Sequence, residues 1–120
     1  MARYVDGFVV PVPREKVDAY VDMAREAGKL WREHGALEFR ECVAEDVEMG
    51  EVTSFPRSVQ LEQGEIVVFS WIVFESREHR DRVNEDVMKD ARLEAMMSSG
   101  DVPFDAKRMV YGGFELVVDV

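Results

Sequence analysis

The stretch Glu65-Ile66-Val67-Val68-Phe69-Ser70-Trp71-Ile72-Val73-Phe74 is apolar at almost every position. Its β-branched and aromatic residues, following directly on Gly64, predict a strand rather than a buried helix. At a period of two, Val67, Phe69, Trp71 and Val73 face one way while Ile66, Val68, Ile72 and Phe74 face the other. Each large apolar side chain removed from water contributes roughly 1.5–3 kcal/mol, so leaving either set wet forfeits about 6–12 kcal/mol, comparable to the net stability of a domain. Both faces of this strand therefore need cover.

The same reading extends along the chain. Arg3 to Val10 alternates as a first strand, with Tyr4, Asp6, Phe8 and Val10 on one face and Val5, Gly7 and Val9 on the other. Pro11 and Pro13 are expected to close it, since neither has an N–H for a ladder. Val17, Tyr20, Val21, Ala24, Ala27, Gly28 and Trp31 recur at spacings of three and four, which predicts an amphipathic helix ended by Gly35 in a left-handed cap. Leu37 to Ala44 alternates as a half-buried edge strand. A long polar connection follows over 45–63, in which Val52 to Phe55 suggests a short strand. Ser76 is the expected N-cap of a second helix reaching about Lys89, and Asp90 to Met97 suggests a further helical turn. Lys107 to Glu115 closes the series as a last strand, in which Gly112-Gly113 suggests a bulge or a close backbone approach.

The order β-α-β-β-α-β predicts an α+β, ferredoxin-like four-stranded antiparallel sheet, with the first and third strands at its centre and residues 1–120 forming one domain. Right-handed crossovers put both helices on one face. The other face is then left apolar and bare. A second copy laid sheet to sheet supplies the missing cover, which makes the expected assembly a homodimer with a barrel-like interior.

Charge narrows the partners. Fifteen Lys and Arg against 25 Asp and Glu give a net charge of −10, which repels a nucleic-acid backbone. Arg77, Arg80 and Arg82 are interrupted by Glu78 and Asp81 and read as a solvated helix face. No apolar run approaches the roughly 20 residues of a membrane-spanning helix. The single cysteine, Cys42, reads as a small buried hydrophobe, and the N-terminus lacks the basic-then-apolar pattern of a leader, which together suggest a cytoplasmic protein. Two histidines at unrelated positions offer no metal spacing, so neither a metal nor a tightly held cofactor is expected.

Candidate chemistry centres on Asp6. An unpaired carboxylate among apolar neighbours in a central strand is costly and tends to hold its proton. Gly7 on the opposite face would admit a close helix, so Asp6 is placed on the inter-subunit face. There Arg40 and Arg108, taken as edge-strand residues, either pair with it structurally or bind an anionic ligand. His34, at the end of the first helix, and His79, in the first turn of the second, are candidate general bases or else helix-end and surface polar groups. Tyr4, Phe69 and Trp71 either line an apolar ligand pocket or belong to core and dimer packing, with Ser70 as the polar interruption that orients a ligand or satisfies a carbonyl.

Several segments together resemble the YbaA-like family of bacterial proteins, a group of unknown function. They are Tyr4 to Pro13, Glu33 to Glu38, Val52 to Arg57, Val68 to Val73, His79 to Asn84, Pro103 to Asp105 and Lys107 to Met109. The resemblance implies membership of the dimeric α+β-barrel superfamily, whose members include cofactor-free monooxygenases, isomerases, haem peroxidases and small-ligand sensors, and it brings no catalytic residues with it. The leading expectation is a dimer that binds a small organic molecule. The alternatives are a cofactor-independent oxygenase or isomerase with Asp6 or a histidine as base, and a purely structural or interaction dimer.

Overall fold

The computed structural model describes residues 2–100 and 102–120. Its elements are β1 (Tyr4–Pro13), α1 (Val17–Glu33), β2 (Glu38–Val43), α2 (Phe55–Ser58), β3 (Glu65–Phe74), α3 (Arg77–Met88), α4 (Ala91–Met97) and β4 (Val110–Glu115). One sheet carries all four strands in the order β2-β3-β1-β4, every pairing antiparallel. This is the ferredoxin-like arrangement expected from the element order, with β1 and β3 at the centre.

Register fixes what each face carries. Asp6 stands opposite Ile72 on β3 and Gly113 on β4, and Ser70 stands opposite Phe8 and Glu41. Tyr4, Asp6, Phe8, Val10 and Val12 therefore share a face with Ile66, Val68, Ser70, Ile72 and Phe74. The core lies on this side, in two clusters. One gathers Leu30, Ile72, Phe74, Val83, Val87 and Leu93. The other gathers Val10, Val12, Tyr20, Ala24 and Val68. Val5, Gly7, Val9, Phe69, Trp71 and Phe114 occupy the reverse face, where Phe69 and Phe114 remain exposed.

Several boundaries differ from the sequence expectation, each for a local reason. β1 does not stop at Val10 but continues through both prolines, pairing Pro11 with Val67 and Pro13 with Glu65. The β1–β4 register ends at Val9, so beyond it β1 has an open edge where a missing N–H interrupts nothing. Val52 to Phe55 forms no strand. Instead the Ser54 side chain accepts the Arg57 N–H and starts the single turn of α2, with Pro56 in its first turn. This turn lies over one end of the reverse face, where Phe55 meets the Phe69 ring edge-on at 5.7 Å between centroids, so that face is partly roofed by the chain itself. β4 begins at Val110 rather than Lys107. Cys42 is exposed rather than buried, because β2 is an edge strand and the cysteine pairs with Phe69 on the reverse face. The two caps behave as predicted: Gly35 has φ +119° after α1, and the Ser76 side chain accepts the His79 N–H at the start of α3.

Candidate functional site

Between the helices and the sheet lies a cavity of about 520 Å³, within the roughly 300–1,000 Å³ of small-molecule sites. Its walls are mostly apolar, and five of the chain's seven methionines border it: Met23, Met88, Met96, Met97 and Met109. Unbranched thioether side chains repack at little cost, so a methionine wall adapts to different shapes. The sheet floor carries two acidic side chains, Asp6 on β1 and Glu41 on β2. Two inter-strand spacings and two residues separate them, about 12 Å on standard sheet geometry.

The Asp6 end is a polar network. Asp6 is buried and accepts a 3.3 Å hydrogen bond from Asn84 Nδ2 on α3. The Asn84 carbonyl oxygen in turn accepts the Trp31 indole N–H at 2.9 Å. Arg80, one turn before Asn84, places Nε 3.6 Å from Asp6 and donates from Nη2 to the Tyr4 hydroxyl at 3.2 Å, with its guanidinium 4.9 Å above the Tyr4 ring. The buried Nε lies within ion-pair range of Asp6 but makes no hydrogen bond. Burial raises the Asp6 pKa, opposed by the Asn84 hydrogen bond and the Arg80 charge.

The Glu41 end is built differently. Tyr20, buried on α1, donates its hydroxyl to Glu41 Oε1 at 2.7 Å. Burial raises the Glu41 pKa, partly offset by hydrogen bonding from Tyr20 and Ser70. The same burial, reinforced by the Glu41 charge, pushes the Tyr20 hydroxyl well above its ordinary range. Aromatic rings border the cavity along both ends. Phe104 meets Tyr20 edge-on at 5.8 Å, and Trp31 lies 6.0 Å from Phe39. Phe39 fits under α1 because the helix has Gly28 there; a Cβ at that position would lie 2.7 Å from the Phe39 ring.

A family model described as a protein of unknown function, DUF1428, matches residues 3–106. This chain belongs to the DUF1428 family. The uncharacterized protein YbaA of Escherichia coli K12 is 51% identical over 117 residues, covering 98% of each chain, and its counterpart in Shigella flexneri matches equally well. Among solved structures, a dimeric ferredoxin-like protein from an uncultured marine organism has a TM-score of 0.59 at 8% identity, over the full length of both chains. A nipsnap family protein of unknown function from Agrobacterium tumefaciens has a TM-score of 0.57 at 13% identity, covering 96% of this chain and 88% of that one. At such identities these two likenesses speak for the fold.

The DUF1428 chain distributes the candidate residues over separate places. Asp6 does not lie on the reverse face as expected. It points beneath the helices, where Asn84 and Arg80 satisfy it, and Gly7 faces the other way, close to Phe114. The expectation that a charge under two helices is hard to satisfy overlooked the polar residues that α3 turns inward. Ser70 is buried and borders the cavity floor, and Tyr4 joins the Asp6 network through Arg80. Arg40 and Trp71 lie along strands that floor the cavity, but register turns their side chains to the reverse face, where Trp71 packs 5.7 Å from Phe69. Arg108 is not in a strand and does not approach Asp6. It forms a two-pronged ion pair with Glu65 at 2.8 and 2.6 Å and a bond to Asp105 at 3.0 Å, tying the approach to β4 onto the start of β3. Neither histidine borders the cavity. His34 pairs with Asp90 at 2.9 Å, and His79 Nδ1 accepts the Glu75 N–H at 3.0 Å.

Glu41, Tyr20, Asn84 and Arg80 escaped the sequence reading as site residues. A signal for two of them existed. Arg80 and Asn84 stand at helical spacing with Val83 and Val87, so they fall on the buried stripe of α3 rather than on its solvated face. Glu41 alternates with Phe39 and Val43, a polar position on the apolar side of an edge strand.

Proposed function

We propose that this DUF1428 protein binds a small, mainly apolar organic molecule in the cavity between sheet and helices. The carrying observation is the combination of volume and lining. A space of about 520 Å³ walled by methionines and aromatic rings has two polar poles, Asp6 with Arg80 and Asn84, and Glu41 with Tyr20. Poles at opposite ends of an apolar slot favour an elongated ligand with a polar group near one or both ends.

The chain acts as a homodimer in this reading, paired through the reverse face of the sheet. Val5, Val9, Phe69, Trp71, Val110 and Phe114 form an apolar surface there that α2 covers only at one end. The marine structural neighbour is by its name a dimeric ferredoxin-like protein, which favours a dimer here without specifying the face.

A second reading, a cofactor-independent isomerase or oxygenase, draws support from the two acidic residues whose pKa values burial raises inside an apolar cavity. The base would then be a carboxylate, since both histidines are engaged elsewhere.

The test is thermal-shift screening against a metabolite library, repeated on Ala27→Phe, which places a ring in the cavity from the α1 side. A ligand present at 100 times its dissociation constant adds about 2.7 kcal/mol and raises the melting temperature by roughly 10 °C. The expected result is a class of hits whose shift disappears in A27F while far-UV circular dichroism is unchanged. Hits that shift A27F equally would place binding elsewhere and overturn the reading.

A further inference from the structure

The two acidic residues of the cavity differ in one respect: Asp6 has a cation beside it and Glu41 has none. Arg80 lies 3.6 Å from Asp6, whereas no lysine or arginine among the described residues forms an ion pair with Glu41. Tyr20 occupies part of the acceptor capacity of the carboxylate and Ser70 contributes a further hydrogen bond, but an ionised carboxylate has about four lone-pair directions. Glu41 borders both the cavity and an outer groove that Arg25, Lys29 and Arg32 also line, yet none of these bases is within ion-pair distance of it. An uncompensated acid in an apolar chamber is costly, and the cost falls when a cation enters with the ligand. The chamber around it is suited to one. Tyr20 and Phe104 present aromatic rings at this end, with Phe39 two residues along β2 on the same face, the setting in which desolvated organic cations are held by ring faces.

We infer that the ligand is an organic amine, its ammonium group seated against Glu41 among these rings and its apolar body lying along the methionine wall toward Asp6. This rests on the small-molecule reading of the cavity and adds the chemical class to it. A carboxylate or phosphate ligand would meet Glu41 with like charge, and the one cation at the far end, Arg80, is already engaged by Asp6 and Tyr4. A neutral alcohol can donate to Glu41 but leaves its charge unmatched, so charge is the property that separates the candidates.

Isothermal titration with matched probes tests this: 2-phenylethylamine and hexylamine, 2-phenylethanol and hexanol, and 3-phenylpropionate. The wild-type protein is expected to bind each amine at least tenfold more tightly than its alcohol and to reject the acid. Glu41→Gln keeps the shape and the Tyr20 contact; in it the amine-to-alcohol ratio is expected to collapse to within about twofold, while Glu26→Gln, an exposed acid of α1 outside the cavity, retains the preference. Alcohols that bind as tightly as amines would overturn the amine assignment and leave small-molecule binding standing. A preference that survives E41Q would overturn the role of Glu41. If no probe binds while the library screen gives hits that A27F abolishes, the amine class is wrong; if neither experiment yields a ligand, both readings fall.

Discussion

Gly113 of β4 lies directly under Arg80. A Cβ at Gly113 would come within 2.7 Å of Arg80 Nη2 and 2.6 Å of the Tyr4 hydroxyl. The glycine is therefore what lets the Tyr4 ring and the guanidinium pack against β4, with Arg80 still within reach of Asp6. Its neighbour Gly112 faces the other side of the sheet, where a Cβ would make only an ordinary 3.6 Å contact with Phe114.

The two glycines should respond oppositely to the same methyl. Gly113→Ala is expected to lose about 1–3 kcal/mol by displacing packed groups. Gly112→Ala is expected to be neutral or to gain about 0.4–1 kcal/mol through a less flexible unfolded chain. Urea unfolding of both variants checks this, and equal losses would mean that the contacts of Tyr4 and Arg80 with β4 are not restrictive.

Glu41 should leave a signature in the pH dependence of stability. Its native pKa is raised above the ordinary 4.5, chiefly by burial. Between those two values the folded protein holds a proton that the unfolded chain has released, so stability declines as pH rises across that window and levels off above it. Glu41→Gln removes this contribution. The melting temperature of E41Q relative to wild type is therefore expected to improve as pH rises from 4 to 7, and a difference that stays flat or moves the other way contradicts a buried, proton-retaining Glu41.

Gly28 sits inside α1, where alanine would ordinarily gain about 1 kcal/mol of helix propensity. Here the methyl would press on the Phe39 ring at 2.7 Å, and over-packing costs about 1–3 kcal/mol. Gly28→Ala is expected to be destabilised by about 1 kcal/mol net in urea titration. Adding Phe39→Leu should recover most of that loss, since the three nearest atoms all belong to that ring.

Phe114 is 63% exposed in the single chain and rests on the glycine pair Gly7 and Gly112, so a lysine there gives up little monomer packing. Sedimentation is expected to find the wild-type protein at twice the chain mass and Phe114→Lys at the single-chain mass at micromolar concentration, with unchanged circular dichroism. A wild-type monomer under those conditions would remove the case for pairing through the sheet.

The fold was legible because period-two and helical patterns are strong where burial is one-sided, as in β3 and α1. Face assignment was harder. Alternation divides Asp6 from Gly7 but does not say which side the helices take, and a carboxylate alone points to neither. The answer lay on another element, in the polar residues Arg80 and Asn84 on the inner stripe of α3, which are legible only once that helix is laid over β1. The 45–63 connection was opaque for a different reason: the β-branched and aromatic residues Val52 to Phe55 mimic a strand, and the cap at Ser54 with Pro56 behind it decides for a helical turn. Arg108 illustrates a third limit, because a pairing with Glu65, 43 positions away, leaves no local trace.

The chain has two tryptophans, and the sheet separates them. Trp31 is hydrogen-bonded to Asn84 at the cavity wall, while Trp71 packs on Phe69 on the reverse face. Each indole is thus a built-in optical reporter for one surface. With Trp71 replaced by Phe, emission follows what enters the chamber; with Trp31 replaced, it follows what lands on the back of the sheet.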